Sequence, residues 1–107
     1  MLIAESDYRG WDAVEMARLV RERQVTAADL AETALARMDD LRALNAVADL
    51  ADAGPAGEGA LAGVPFAVKE LLAWPGLPWT MGSRLMATNP APGLSPYAAR
   101  IRDCGLN

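Results

Sequence analysis

The chain contains no histidine, one cysteine, one lysine and one phenylalanine among its 107 residues. Without histidine, any proton transfer falls to a carboxylate, to Lys69, to a tyrosine, to Cys104 or to water. A lone Cys104 closes no internal disulfide, and with no second thiol and no imidazole a sulfur-and-imidazole zinc site is excluded. No apolar run approaches the length that spans a bilayer. The opening Met1-Leu2-Ile3-Ala4-Glu5-Ser6-Asp7 has neither the basic start nor the apolar core of a secretory signal. These absences point to a cytoplasmic protein with no metal and no other cofactor.

Basic clusters are missing as well. The formal charge is −4, and residues 1–58 hold twelve acids and six bases against two acids and four bases in residues 59–107. Four bases spread over nearly half the chain make no positive stripe able to neutralise a phosphate backbone, which argues against nucleic acid as a partner. What remains is the composition of a globular protein, 52% hydrophobic and 22% charged. The length suits one domain.

Asp12 and Glu15 have capping-box spacing and predict a helix running to about Arg23, with Ala13, Met16, Ala17 and Val20 on its apolar face. Thr26 and Asp29 repeat the arrangement and predict a second helix to about Leu41. Its stripe would be Leu30, Ala34, Met38 and Leu41, opposite Asp29, Glu32, Thr33 and Arg37. The short link between them favours two helices packed by their apolar stripes. Ala46-Val47-Ala48 is a candidate short strand, and Ala53 to Gly59 reads as a surface loop. Ser95-Pro96 offers a cap and a first-turn proline for a third helix that Gly105 would end, with Leu106-Asn107 entering another strand.

Between these lies the run Gly63-Val64-Pro65-Phe66-Ala67-Val68-Lys69, short, apolar and bounded by breakers, expected as a buried strand with the sole lysine at its carboxyl end. Ligand sites in open α/β sheets gather at such ends. An ammonium beside so much apolar surface loses hydration, which disfavours its charged form and makes Lys69 the first candidate for chemistry. The plainer alternative is a stem lying along apolar surface with its charge in water or paired with Glu70. Strand alternation would instead direct Glu70 away from Lys69. From Trp74 to Pro92, repeated prolines and glycines predict a long ordered loop that Trp74 and Trp79 could anchor, either as a binding element or simply as apolar plugs.

Gly63-Val64-Pro65-Phe66-Ala67-Val68-Lys69-Glu70-Leu71, followed by Gly76-Leu77-Pro78 and Thr80-Met81-Gly82-Ser83-Arg84, closely resembles the start of the amidase signature family. The likeness reaches upstream to Leu44-Asn45-Ala46-Val47 and downstream to Tyr97 through Gly105. It implies an α/β fold, with residues 1–107 as the amino-terminal fragment of a single larger amidase domain. Two amphipathic helices, short strands of a mixed sheet and a further helix would compose it. It also implies a hydrolase of carbon–nitrogen (amide) bonds working through a Ser-cisSer-Lys triad, with Lys69 at the position of the lysine. The implied partner is a small-molecule amide substrate, with neither nucleic acid nor membrane involved, and a homo-oligomer of the full-length protein is compatible with it. Both serines of the family lie on sequence beyond residue 107, so the 107 residues alone would be inactive. Ser83 matches a loop serine of the family and Ser95 a cap, and neither is a candidate nucleophile. The stretch from Asp49 to Gly63 is shorter than in the family, and Trp79 stands where a small hydroxylated residue is common.

Two other functions fit the residues. A chain naturally complete at 107 residues would be a non-catalytic binding or assembly module, offering a sheet edge to a partner. Alternatively, a lysine of this kind can attack a carbonyl to form an imine.

Overall fold

The structure is a computed structural model that describes residues 2–51 and 57–107. Four α-helices carry the regular backbone: α1 (Glu5–Gly10), α2 (Ala13–Arg21), α3 (Ala27–Asp40) and α4 (Pro96–Asp103). Single 3-10 turns follow at Arg42–Leu44 and Arg84–Met86.

Three of the four helices start where their caps dictate. The Asp12 carboxylate accepts the Glu15 N–H at 2.8 Å, while the Glu15 carboxylate turns to Arg18 instead of closing the box. At α3 the box is complete, the Thr26 hydroxyl accepting from the Asp29 amide and the Asp29 carboxylate from the Thr26 amide. Ser95 caps α4 through the Ala98 N–H at 3.1 Å, Pro96 occupies the first turn, and Gly105 at φ +81° follows its end. Helix α1 has no side-chain cap and no buried residue. It is held from outside by the Arg37–Glu5 ion pair at 3.0 Å and by the Arg37 guanidinium over the Tyr8 ring.

Met16 and Ala17 of α2, Leu30 of α3 and Val64 form the core, flanked by Ile3, Trp11, Val25, Leu61 and Leu106. Leu30 is fully buried. Among residues expected on the apolar stripes, Ala13 and Leu41 are exposed, because each sits at a helix end beyond the reach of this cluster. Thr33, expected on the charged face, is buried instead. Its hydroxyl accepts the Ile3 N–H at 3.0 Å and donates to the Asp29 carbonyl at 2.8 Å, satisfying an amide of the amino-terminal segment.

The expected mixed sheet is not formed among the described residues, whose one β-bridge is the antiparallel contact of Pro78 with Pro90. Ala46-Val47-Ala48 is exposed coil. The loop expected over residues 53–59 falls largely outside the described residues. The run from Gly63 to Lys69 is not a named strand: Gly63 belongs to a turn at φ +81°, and only residues 64–66 pair, with one short segment. The Asn107 N–H donates to the Val64 carbonyl at 2.8 Å, and the Phe66 N–H donates to the Asn107 carbonyl at 2.8 Å. That alternation is the hydrogen-bond register of a parallel pair. A turn through residues 58–63 brings the two together, with the Leu61 amide on the Cys104 carbonyl at 2.8 Å and the Gly63 amide on the Gly105 carbonyl at 3.0 Å. Gly59 and Gly105 permit this approach, since a Cβ on either would meet the facing backbone at 3.0 Å or less.

The radius of gyration is 14.7 Å and the extents are 45 × 32 × 19 Å. A rounded domain of this length would have a radius of about 13 Å. A slab this thin covers few side chains, and Leu44, Leu71, Leu85 and Tyr97 are more than half exposed.

Candidate active site

The segment from Val64 onward carries Lys69 out of the core. Gly63 and Val64 are buried, Phe66 and Ala67 are exposed, and Lys69 is exposed where the chain turns. The Lys69 carbonyl accepts the Leu72 N–H at 2.9 Å, closing that turn. Burial around the lysine, expected from the apolar run, is therefore absent: Val64 anchors the segment at its start and nothing covers it at its end. No ion pair engages the Lys69 amino group among the described residues.

Glu70 does turn elsewhere. Its carboxylate accepts from the Thr80 hydroxyl and, at 3.3 Å, from the Thr80 amide. The next residue takes part too, because the Trp79 indole N–H donates to the Leu71 carbonyl at 3.2 Å. Asn89 in turn donates to the Trp79 carbonyl at 3.4 Å. The proline-rich loop is thus tied by hydrogen bonds to Glu70 and Leu71 and, through Asn89, to its own backbone, and Trp79 is half-buried, as is Trp74. Sequence reading missed the Glu70–Thr80 pair. The signal for it was a carboxylate before the breaker-rich loop and a hydroxyl within it, and that spacing is not specific.

Ser83 and Ser95 are both spent on backbone. Ser83 accepts from the Leu85 amide at 3.3 Å, and Ser95 caps α4. Cys104 is free and half-buried at the end of α4. Among the described residues no cluster of three acidic or thiol side chains could hold a metal ion, and no helix is long and apolar enough to cross a membrane.

A concavity lies between α1 and the end of α3, lined by Tyr8, Met38, Leu41, Leu44 and Val47. Burial raises the Tyr8 phenol above its ordinary value against the opposing effect of Arg37. The two guanidinium groups at its margin, Arg37 and Arg42, are engaged by Glu5 and Asp39. Lys69 takes no part in it.

The chain is 33% identical over 118 aligned positions to an acylamidase of Rhodococcus erythropolis, covering 96% of this chain and 25% of that protein. It is 28% identical to a glutamyl-tRNA(Gln) amidotransferase polypeptide of Corynebacterium diphtheriae, covering 98% of this chain and 24% of the relative. The corresponding amidotransferase polypeptide of Salinispora tropica is 33% identical over 94% of this chain and 23% of its own length. The chain therefore spans about a quarter of the length of the curated relatives it matches. No family model matches it, and no solved structure does.

Proposed function

Since this chain belongs to the amidase signature family, matching its members as an amino-terminal segment does, we propose that it forms the lysine-bearing part of an enzyme hydrolysing carbon–nitrogen bonds of small amides. In this reading its residues belong to a single larger α/β domain, whose remaining polypeptide completes the sheet begun at Val64 to Phe66. Lys69 is the residue of the Ser-cisSer-Lys triad that this chain supplies.

The chemistry suits the residue. A serine hydroxyl is a weak nucleophile at neutral pH, and an amine in its neutral form can take its proton. Lys69 accepts that proton through the second serine as the nucleophilic oxygen bonds to the amide carbon. It returns a proton to the departing nitrogen as the carbon–nitrogen bond breaks. Water then attacks the acyl-serine, giving its proton to the same relay, and the acid leaves. Ammonia or an amine produced in the first half could instead pass to another acceptor, a variant suggested by the amidotransferase names among the relatives.

The observation that carries this reading is the Lys69 amino group itself, exposed and without an ion pair among the described residues, while Glu70, the adjacent carboxylate, is engaged by Thr80. The covering that the slab lacks around Lys69 would come from the serine-bearing polypeptide. Lys69→Ala, made in the protein expressed with that polypeptide, should lower kcat/KM for amide hydrolysis by about a hundredfold or more. Lys69→Arg should fail equally, because a guanidinium does not give up its proton. Activity within a few fold of normal in Lys69→Ala would refute the assignment.

A further inference from the structure

We propose that Glu70 is a positioning residue that latches the loop at Trp79 and Thr80 onto the peptide following Lys69, so that this loop forms a fixed wall beside the lysine. The proposal rests on the role of Lys69 given above and adds the element that sets what stands next to it.

Two consecutive residues grip two consecutive residues. The Glu70 carboxylate receives both the hydroxyl and the amide of Thr80, and the Leu71 carbonyl receives the Trp79 indole N–H. One attachment would fix a distance, whereas two adjacent ones also fix the orientation of the loop. The carboxylate bonds are charge-assisted and outweigh neutral ones. Thr80 passes the constraint onward, its hydroxyl oxygen accepting the Gly82 N–H at 3.3 Å and its carbonyl the Ser83 N–H at 2.9 Å.

The turn so closed has both central residues left-handed, Met81 at φ +52° and Gly82 at φ +71°. Glycine adopts this freely, but methionine does so only where its surroundings over-determine it. Such surroundings are what the latch provides. It displays the Met81 side chain, 44% exposed, one residue along the chain from the bond to Glu70. The same bond occupies the carboxylate nearest in sequence to the lysine.

The single lysine makes this measurable. An endoproteinase specific for lysyl bonds cuts this chain only between Lys69 and Glu70, and it needs that peptide locally opened. Thr80→Val removes the hydroxyl and should speed cleavage by about tenfold, in line with loss of a bond to a charged group. Thr80→Ser should bring the rate back to within about twofold of the unaltered chain. Cleavage of Thr80→Val at the unaltered rate would overturn the proposal, as would a Thr80→Ser chain cut as fast as the valine variant. Should Thr80→Val fail to fold by circular dichroism, hydrogen exchange of the Thr80 amide in the unaltered chain decides. Protection supports the latch, and exchange at the rate of an unstructured peptide overturns it. These rates are read without substrate, so a Lys69→Ala enzyme that still hydrolyses amides would sink the catalytic role of Lys69 and leave the latch standing. In an active enzyme the latch should show as a lower kcat for Thr80→Val, recovered by Thr80→Ser, and unchanged kinetic constants would overturn its positioning role.

Discussion

Gly59→Ala should be the most damaging single-methyl change in the chain outside the helical core. A Cβ at residue 59 would lie 2.5 Å from both the carbonyl carbon and the oxygen of Cys104 and 2.8 Å from the Asp103 oxygen. All three are backbone atoms at the end of α4, and no side chain can rotate away. Ordinary contact begins at 3.4 Å, so the turn through residues 58–63 must move off α4 by nearly an ångström. A shift of that size stretches the 2.8 Å Leu61–Cys104 bond and the 3.0 Å Gly63–Gly105 bond beyond useful length. Each is worth about 1 kcal/mol net. The alanine must also adopt φ +149°, which costs on the order of 1–3 kcal/mol. The sum, about 3–5 kcal/mol, is a large part of the roughly 5–15 kcal/mol that holds a domain folded. Urea denaturation followed by circular dichroism measures it, and amide hydrogen exchange locates it: Phe66 and Asn107 should lose protection along with the turn. Gly10→Ala is the matched control, since nothing lies within 4 Å of a Cβ there. If Gly59→Ala lost less than about 0.5 kcal/mol, the level of an ordinary surface substitution, and left Asn107 protected, the close approach would not be what orders this region.

Thr33→Val keeps the shape of a buried side chain but strands the Ile3 amide, and should cost about 1–2 kcal/mol with faster exchange of that amide; no change in either would show that the hydroxyl does not tether the amino-terminal segment. The Glu5 carboxyl is held below its ordinary 4.5, chiefly by its hydrogen bond and charge interaction with Arg37. A depressed folded value means a contribution fully present above the ordinary value and lost as pH falls from there through the lowered one. Stability should therefore fall more steeply below about pH 4.5 in the unaltered chain than in Arg37→Met. Parallel urea midpoints from pH 7 to pH 3 in the two chains would contradict that linkage.

Helices α2, α3 and α4 were legible because their starts are written locally: Asp12, Thr26 and Ser95 each cap within three residues. Helix α1 was not, since no cap marks it and its support comes from Arg37 and Tyr8. Thr33 defeated the helical pattern for a related reason, its partner being thirty residues away at Ile3. The run ending in Lys69 was expected as a strand, but a strand is defined by what it pairs with, and here Asn107 pairs with Val64 and Phe66 while Gly63 belongs to a turn held by Gly105. The same shortage left Lys69 in solvent where the apolar run suggested burial. Glu70 is engaged by Thr80, but not through the strand alternation expected for it, since residue 70 lies in a turn and no strand is named there, and nothing local named Thr80 as its destination.

The pairing of Val64 and Phe66 with Asn107 also dictates an order of events. Its two sides are separated by about forty residues, so closing that loop costs chain entropy before either bond can repay it. The capped helices draw only on neighbours in sequence and need no such closure. A refolding experiment should therefore see helical signal well before Phe66 and Asn107 become protected, with the arrival of Asn107 setting the pace for the segment that bears the lysine.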